Sequence, residues 1–254
     1  MLTSGYIDSC TAFRASLPSR RAVHEVVSLG SSIGIEFVPM SYDISDAFYY
    51  GCNAIAMGDF IGKLVQALRG EKPIEEYKLL LLKEKLPMWL IKLVAWYKNK
   101  DPIRFRKLVK CTVNKNMIHL TTSLRNVQLE RFKVEEMMIR DGLEGILAPG
   151  GALPALKHTF ASHLLGAATY PIFFNVLNFP TGSIPVTLVH EDEQKYECGI
   201  DDEMTRYSKE VMNGSAGLPI GVQVGCPPYR EELVLNIMKR LERVLPKTEC
   251  PTQL

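Results

Sequence analysis

Serine is the side chain in this sequence that comes nearest to a catalytic nucleophile. Acyl transfer by a serine needs a base beside the hydroxyl and hydrogen-bond donors for the developing oxyanion. Ser31 and Ser32 lie within GSSIG, residues 30–34, which connects a predicted helix to a predicted strand and lacks the flanking glycines that would expose backbone amides. Ser183 and Ser215 also fall in predicted turns. No lysine or histidine stands at a spacing that indicates a partnership with these serines, so we expect no catalytic residue in this chain.

The histidine and glycine patterns indicate neither a metal site nor a phosphate site. His158 and His163 are five residues apart, which is not the spacing of one helical face, and no HExxH motif surrounds them. The Gly150-Gly151 pair is not followed by the Gly-Lys-Ser/Thr of a phosphate-binding loop, so a turn is favoured there. We therefore expect neither a metal site nor a phosphate-binding loop at these residues.

Charge and cysteine content narrow the class of protein. The 254 residues suffice for one large domain or two small ones, and a net charge of +2 argues against a nucleic-acid-binding protein. The basic excess is local, with eleven Lys/Arg against two acids in residues 78–115. Six dispersed cysteines without a CxxC pair, and the lack of a signal peptide, favour a reducing, cytosol-facing environment. We find no apolar run of the roughly 18 residues that a spanning helix needs.

Apolar periodicity predicts an α/β succession of helices and strands. Residues 1–19 are polar and are predicted to be irregular, with Ser19 capping the first helix. Residues 190–203 are acidic and predict a solvated surface loop. The predicted helices are residues 20–29, 43–68, 113–140, 168–177 and 231–245, and the first predicted strands are residues 33–38 and 146–149.

Two further stretches organise the predicted sheet. Residues 175–186, NVLNFPTGSIPV, run from an apolar helix end through a Thr-Gly turn into a strand over residues 183–189. Residues 217–225, GLPIGVQVG, are a short apolar run in which Pro219 stands at the start of a strand. The glycines in this run leave room for the close approach of another backbone. We predict that the two stretches form neighbouring central strands.

Residues 75–110 combine apolar helices with basic flanks. Residues 75–86 and 87–97 are predicted helices, and residues 98–110 hold six Lys/Arg and one Asp. The apolar side chains of the second helix form two adjacent rows, Trp89, Leu93 and Trp96 in one and Leu90, Val94 and Tyr97 in the other. Such a pattern fits an interfacial membrane helix, since the apolar face enters the headgroup region while the cations meet anionic lipid. It also fits a helix pair buried in a helical layer.

The two strand stretches, together with PPYREELVLNIMKRLERVL at residues 227–245, resemble the carboxy-terminal part of the amidase-signature family of serine hydrolases. Within that family the sequence is most similar to the fatty-acid amide hydrolase branch. The likeness extends over nearly the whole chain, from Gly5-Tyr6 and the PSRR of residues 18–21 onward. The resemblance implies a partial amidase-signature fold over residues 1–254, with a mixed β-sheet covered by helices and a helical membrane cap at residues 75–110.

The resemblance also implies a function and an incomplete site. The family hydrolyses amides with a Lys-Ser-Ser set on glycine- and serine-rich loops, and those motifs are absent here. The resemblance implies that water accepts the acyl group and that no cofactor is needed. The chain is therefore expected to be the carboxy-terminal part of an enzyme that hydrolyses long-chain fatty acid amides, inactive alone. Ile172 and Phe173 match positions that line the family branch's acyl-chain channel, although the sequence alone equally allows them a core role.

The membrane-binding residues implied by the resemblance are Trp89, Leu90, Leu93, Trp96 and Tyr97. These residues predict a peripheral position on a cytosol-facing intracellular membrane. The expected partners are a lipid amide as substrate and possibly a second copy in a homodimer, and the net charge argues against nucleic acid. One alternative is a catalytically dead peripheral membrane or lipid-binding protein that keeps the cap. Another is an adaptor that binds partners through residues 88–97.

Overall fold

The structure, a computed structural model, describes residues 2–57, 60–74, 77–78, 81, 86–87, 89–90, 93, 96–97 and 117–246. The strands in these ranges are β1 Leu2–Tyr6, β2 Ile35–Pro39, β3 Gly145–Pro149, β4 Thr181–Leu188 and β5 Pro219–Gly225. The α-helices are α1 Leu17–Leu29, α2 Ser45–Met57, α3 Phe60–Ala67, α4 Met117–Arg140, α5 Thr169–Leu177, α6 Glu203–Met212 and α7 Glu231–Glu242. Helices α2 and α3 both lie within the helix predicted over residues 43–68, and residues 58–59 between them are outside the described ranges.

The strands form one mixed sheet in the order β2-β1-β3-β5-β4. Strand β1 pairs in parallel with β2 and with β3, whereas β5 pairs antiparallel with both β3 and β4. Helices α1 and α7 pack on one face of this sheet, and α2, α4 and α5 pack on the other. The predicted α/β fold, a mixed sheet covered by helices, is confirmed.

Strand β1 lies inside the sheet, so the prediction that residues 1–19 are irregular is wrong there. Its buried residues are Ser4 and Gly5 rather than large apolar side chains. A β-carbon on Gly5 would lie 2.4 Å from the side chain of Met40. Close packing thus requires small residues at this point, and small residues remove the apolar alternation by which a strand is recognised.

Helix α1 connects β1 to β2 and begins three residues before its predicted start at residue 20. Ser16, not Ser19, is the N-cap residue, and Pro18 stands in the first turn, where its fixed φ and missing N–H are tolerated. Ser19 is buried inside the helix, with its Oγ 3.0 Å from the Oγ of Ser16. The predicted cap at Ser19 is therefore corrected to Ser16.

Strands β4 and β5 are neighbours, as predicted, but only β5 is central. Strand β4 lies at one edge of the described sheet. Its pairing with β5 is irregular between Pro185 and Thr187. A proline lacks the N–H that a two-sided ladder needs, so edge strands and bulges are the places where a sheet accepts it. The prediction that both strands are central is wrong for β4 for this reason.

The glycines of β5 are required by close contacts with the neighbouring strand β4 and with helix α5. A β-carbon on Gly221 would lie 2.7 Å from the carbonyl oxygen of Ile184 in the neighbouring strand. A β-carbon on Gly225 would lie 2.4 Å from the ring of Phe174 in α5. The predicted close approach at this stretch is confirmed, and it allows α5 to pack tightly on the sheet.

The acidic segment at residues 190–203 is not a solvated loop throughout. Glu193 is only 5% exposed, and Arg21 of α1 donates to its two carboxylate oxygens, from Nε over 2.7 Å and from Nη2 over 2.8 Å. The same guanidinium donates to the carbonyl of Leu188 over 2.7 Å and to Oγ1 of Thr187 over 2.8 Å. The prediction is wrong at Glu193 because a cation 172 positions away in sequence compensates its charge.

Replacing Arg21 with methionine should lower the free energy of unfolding at neutral pH by about 3–5 kcal/mol, because Glu193 would stay buried without its counter-charge. In the wild type, burial raises the pKa of Glu193, but the hydrogen bonds and charge of Arg21 outweigh it and hold this pKa below the ordinary value of 4.5. The stabilisation is therefore present above that value and is lost as the pH falls through the folded-state pKa.

Urea unfolding of both proteins at neutral pH and at about pH 3 measures this effect, and the difference between them should narrow in acid. Glu25→Gln is the matched control, since Glu25 is the more exposed second carboxylate bound by Arg21. It should cost less than about 1 kcal/mol. Equal losses in Arg21→Met and Glu25→Gln would contradict the role assigned to Glu193.

Candidate functional site

An open cleft of about 510 Å³ lies where β3 ends and β5 begins. Its walls come from residues 150–156 after β3, residues 161–168 before α5, and residues 219–221 of β5. Ser19 of α1 and Ser183 of β4 add two hydroxyls to a mainly apolar lining. Because no lining residue is charged, the cleft suits an uncharged and largely apolar group.

The turn after β3 is held rigidly against β5. The N–H of Gly150 donates to the carbonyl of Gly221 over 2.9 Å. Nε2 of Gln223 donates to the carbonyl of Gly150 over 2.8 Å. A β-carbon on Gly150 would lie 2.9 Å from the carbonyl oxygen of Gly221, which explains the glycine at this turn. The Gly150-Gly151 turn favoured by the sequence is therefore a wall of the cleft.

The two cleft hydroxyls have backbone partners rather than a catalytic base. Ser19 donates to the carbonyl of Ala152 over 3.4 Å, and Ser183 donates to the carbonyl of Val222 over 3.4 Å. A serine nucleophile needs a neighbouring group that accepts its proton. No such group lies among the cleft's described lining residues, so what they offer is binding rather than nucleophilic attack.

The remaining candidate serines stand at helix ends, away from the cleft lining. Ser31 and Ser32 lie in the short 3₁₀ turn Gly30–Ile33, where Ser32 donates to the carbonyl of Leu29 over 2.6 Å. Ser215 is buried and donates to the carbonyl of Met212 over 2.7 Å. Both hydroxyls satisfy carbonyls that a helix end leaves without an intrahelical partner.

The histidine pair is not brought together as a ligand set. His163 stacks on Tyr207, with ring centroids 4.3 Å apart, and its Nδ1 lies 3.8 Å from a carboxylate oxygen of Glu203. His158 is exposed. Within the described ranges, no group of three His, Cys, Asp or Glu side chains is arranged to hold a metal ion.

Two described cysteines are unsuited to act as nucleophiles. Burial raises the pKa of Cys52 to about 11, and burial also raises the pKa of Cys226 to about 12. The thiolate is the reactive form of cysteine, and a raised pKa keeps both thiols protonated near neutral pH.

Sequence reasoning missed a polar cluster beside the loop that follows β1. The carboxylate of Asp43 accepts hydrogen bonds from the hydroxyls of Thr11 and Ser45, and the Ser45 hydroxyl in turn accepts from the N–H of Ala12 over 2.7 Å. Burial acts to raise the pKa of Asp43, but the hydrogen bonds from Ser45 and Thr11 hold it below its ordinary value. The cluster fixes the loop against the start of α2. One sequence signal could have indicated this cluster. Asp43 stands two residues before Ser45, and an aspartate just ahead of a predicted helix is typical of helix capping.

The two predicted channel residues are neighbours on α5 but have different surroundings. Phe173 is fully buried, with its ring centroid 6.1 Å from that of Tyr42 and 5.4 Å from that of Phe174. Ile172 is half-buried and faces α2, where a β-carbon on Gly51 would lie 3.6 Å from it. Neither residue lines the 510 Å³ cleft, and their channel role stays a prediction.

Most of the predicted membrane cap lies outside the described residues. Within it, Trp89, Trp96 and Tyr97 are helical, with 67%, 65% and 83% of their surface exposed. Leu93 is also exposed, whereas Leu90 is half-buried. Among the described residues, none of the helices has the length and apolar content to cross a bilayer. Membrane binding by these side chains stays a prediction.

The chain belongs to the amidase family, whose sequence profile matches residues 2–235. The match spans all five strands and every segment that lines the cleft.

Among curated proteins, the chain is similar to fatty acid amide hydrolase 1 of Caenorhabditis elegans, at 31% identity over 160 residues. It is also similar to fatty-acid amide hydrolase 1 of Sus scrofa, at 28% identity over 172 residues. These alignments cover 62% and 66% of this chain but only 28% and 30% of the two relatives. The chain thus spans less than a third of the length of the curated relatives that it matches.

Solved structures of amidases share the fold. A fatty acid amide hydrolase superposes with a TM-score of 0.64 at 17% identity, over 95% of this chain and 39% of that protein. A 6-aminohexanoate cyclic dimer hydrolase superposes with a TM-score of 0.60 at 14% identity, over 99% of this chain and 47% of that protein. At these identities the likeness shows the fold alone.

Substitutions in α5 should separate a core role from a channel role. Phe173→Ala should lower the free energy of unfolding by about 3–5 kcal/mol, because it leaves a cavity among packed aromatic rings. Ile172→Ala should cost only about 1 kcal/mol, since Ile172 is half-buried. Urea unfolding of the two variants measures the difference. If Phe173→Ala costs no more than Ile172→Ala, Phe173 borders an open space rather than the core.

Proposed function

We propose that this chain is the carboxy-terminal part of a serine amidase of the fatty-acid amide hydrolase type. Such an enzyme cleaves the C–N bond of a long-chain fatty acid amide with water, giving a fatty acid and an amine. The observation that carries the proposal is the similarity to the Caenorhabditis elegans fatty acid amide hydrolase, at 31% identity. The family match over residues 2–235 supports the same reaction class.

In this proposal the chain supplies walls of the substrate-binding site, and it does not supply the reacting groups. The nucleophilic serine, the bridging serine and the lysine belong to amidase sequence outside these 254 residues. The apolar cleft and the face of α5 that carries Ile172 would bound the acyl chain of the substrate. The lack of a proton-accepting side chain beside Ser19 or Ser183 among the described lining residues supports this division of roles. Water is the acceptor, and the proposed reaction needs no cofactor.

A fusion protein tests the proposal. The portion of the Caenorhabditis elegans relative that precedes its aligned region would be joined ahead of residue 2. We expect a fluorophosphonate probe to add one adduct per fusion protein, read by intact mass, and to leave the 254-residue chain unlabelled. The fusion should also hydrolyse a long-chain fatty acid amide, whereas the relative's portion alone should not.

Two variants sharpen this experiment. Ile172→Trp in the fusion should slow hydrolysis of a long-chain amide more than that of a short-chain amide, because the bulk narrows the proposed acyl site. Tyr229→Ala, at a 90% exposed residue in the connection between β5 and α7, is the control. A labelled fusion that hydrolyses only short-chain amides would refute the proposed substrate class. A folded but unlabelled fusion would refute the enzyme proposal and favour a catalytically dead lipid-binding protein.

The proposal includes a membrane-binding surface at residues 75–110, on a cytosol-facing intracellular membrane. The exposure of Trp89, Leu93, Trp96 and Tyr97 supports it, as do the six Lys/Arg in residues 98–110. Exposed tryptophans beside cations suit the membrane interface, because the rings enter the headgroup layer while the cations meet anionic lipid. A long-chain amide would then reach the enzyme from the bilayer.

Liposome flotation tests this surface. The wild-type chain should float with vesicles that contain anionic lipid, and Trp89→Ala/Trp96→Ala should bind about tenfold more weakly or worse, because two large apolar contacts are lost. Tyr229→Ala, which removes an aromatic ring that is 90% exposed elsewhere, should bind like the wild type. If the wild type fails to float, an adaptor that binds protein partners through residues 88–97 becomes the better interpretation.

A further inference from the structure

Arg20 of α1 is a half-buried cation whose side chain has no partner in the described part of the chain. Its Nε is buried without a hydrogen-bond acceptor, and its guanidinium forms no ion pair with any described residue. The next residue, Arg21, differs in this respect, because it donates to two carboxylates, a hydroxyl and a carbonyl. A buried donor without an acceptor destabilises a fold. The contacts described within this chain therefore do not explain why an arginine stands at position 20.

The surroundings of Arg20 on α1 have the character of a contact surface. The preceding residue, Ser19, lines the cleft. Leu17 is 49% exposed and lies three residues before Arg20, so the two side chains are neighbours on the helix. Arginine is enriched in protein interfaces, where it commonly borders apolar contacts. The first turn of α1 thus combines an exposed apolar side chain with a cation that lacks a counter-charge.

The proposed function requires another part of the enzyme to reach this turn. The described lining of the cleft holds no serine beside a proton acceptor, so the proposed nucleophile must approach the cleft from amidase sequence outside this chain. This chain aligns with only 28% and 30% of its two curated relatives, which leaves ample sequence for that role. A segment that brings a nucleophile to the cleft passes close to Ser19 and hence to the start of α1.

We propose that Arg20 binds a carboxylate of the amidase sequence that lies outside these 254 residues, and that Leu17 packs against the same segment. This inference rests on the proposed function. A carboxylate suits the site, because a guanidinium carries a permanent charge and offers parallel N–H donors that match two carboxylate oxygens. The ion pair would hold the reacting groups against the cleft wall, so Arg20 is a positioning residue that does not touch the substrate.

A binding titration tests this contact. The portion of the Caenorhabditis elegans relative that precedes its aligned region is titrated into this chain, and the complex is measured by sedimentation velocity. The wild type should bind. Arg20→Met should bind about tenfold more weakly or worse, because the partner carboxylate stays buried without its counter-charge. Arg20→Glu should bind more weakly still, since two like charges then meet, whereas Arg20→Lys should lie between Arg20→Met and the wild type.

Arg243→Met is the matched control, because it removes the same side chain from an exposed position at the end of α7. In the last turn of α7, Arg240 donates to the carbonyl of Ile33 over 3.2 Å. The end of α7 therefore lies beside the turn that follows α1, at the opposite end of α1 from Arg20. Arg243→Met should bind like the wild type.

Urea unfolding of this chain alone separates a lost contact from a lost fold. Arg20→Met should unfold at the same urea concentration as the wild type or at a higher one, because it removes a buried donor that has no acceptor. A midpoint lowered as far as in Arg21→Met would show that Arg20 serves the fold of this chain, and would overturn the proposal.

Three results of the titration would also overturn the proposal. They are a wild type that does not bind, an Arg20→Met variant that binds like the wild type, and an Arg20→Glu variant that binds no more weakly than Arg20→Met. A complex that depends on Arg20 as expected, but that a fluorophosphonate probe does not label, would support the contact and would refute the proposed enzyme function. The two proposals can therefore fail separately.

Discussion

Strand β3 is buried over its whole length, and both helical layers depend on this burial because they pack against its two faces. Its successive side chains point to opposite faces of the sheet. Ile146 and Ala148 therefore enter the core shared with α2, α4 and α5, while Leu147 enters the core shared with α1 and α7. Strand β3 is also where the sheet changes from parallel pairing with β1 to antiparallel pairing with β5. A polar side chain in this strand would be unsolvated on whichever face received it.

The cleft follows from the way this strand ends. After β3 the chain turns at Gly150, which is bonded to β5 through Gly221 and Gln223, so the two sides of the cleft are fixed to the same sheet. Helix α1, which supplies Ser19 to the cleft, is held to the end of β4 because Arg21 donates hydrogen bonds to Leu188 and Glu193. The cleft is thus an apolar recess bounded by hydrogen-bonded elements of one sheet, and such a recess suits the wall-forming role proposed for this chain.

The exposed apolar side chains of the proposed membrane cap and the apolar cleft differ in the charges that accompany them. Trp89, Leu93, Trp96 and Tyr97 are exposed and are followed in sequence by a strongly basic segment, residues 98–110, which suits the proposed contact with anionic lipid. None of the described residues that line the cleft is charged, which suits the proposed contact with an uncharged acyl chain.

The sequence by itself determined the elements in which the local pattern of apolar side chains and glycines matches their burial in the fold. These include the apolar helix α5 and strand β5 with its glycines. The α/β class and the likeness to amidases were also evident from the sequence. Tertiary structure decided the rest. Strand β1 was not recognised because its buried residues are the small Ser4 and Gly5, and Gly5 is packed closely against Met40. Glu193 is buried because Arg21, 172 positions earlier, neutralises it. In both cases the burial of a residue depends on a partner far along the chain, and local periodicity carries no information about that partner.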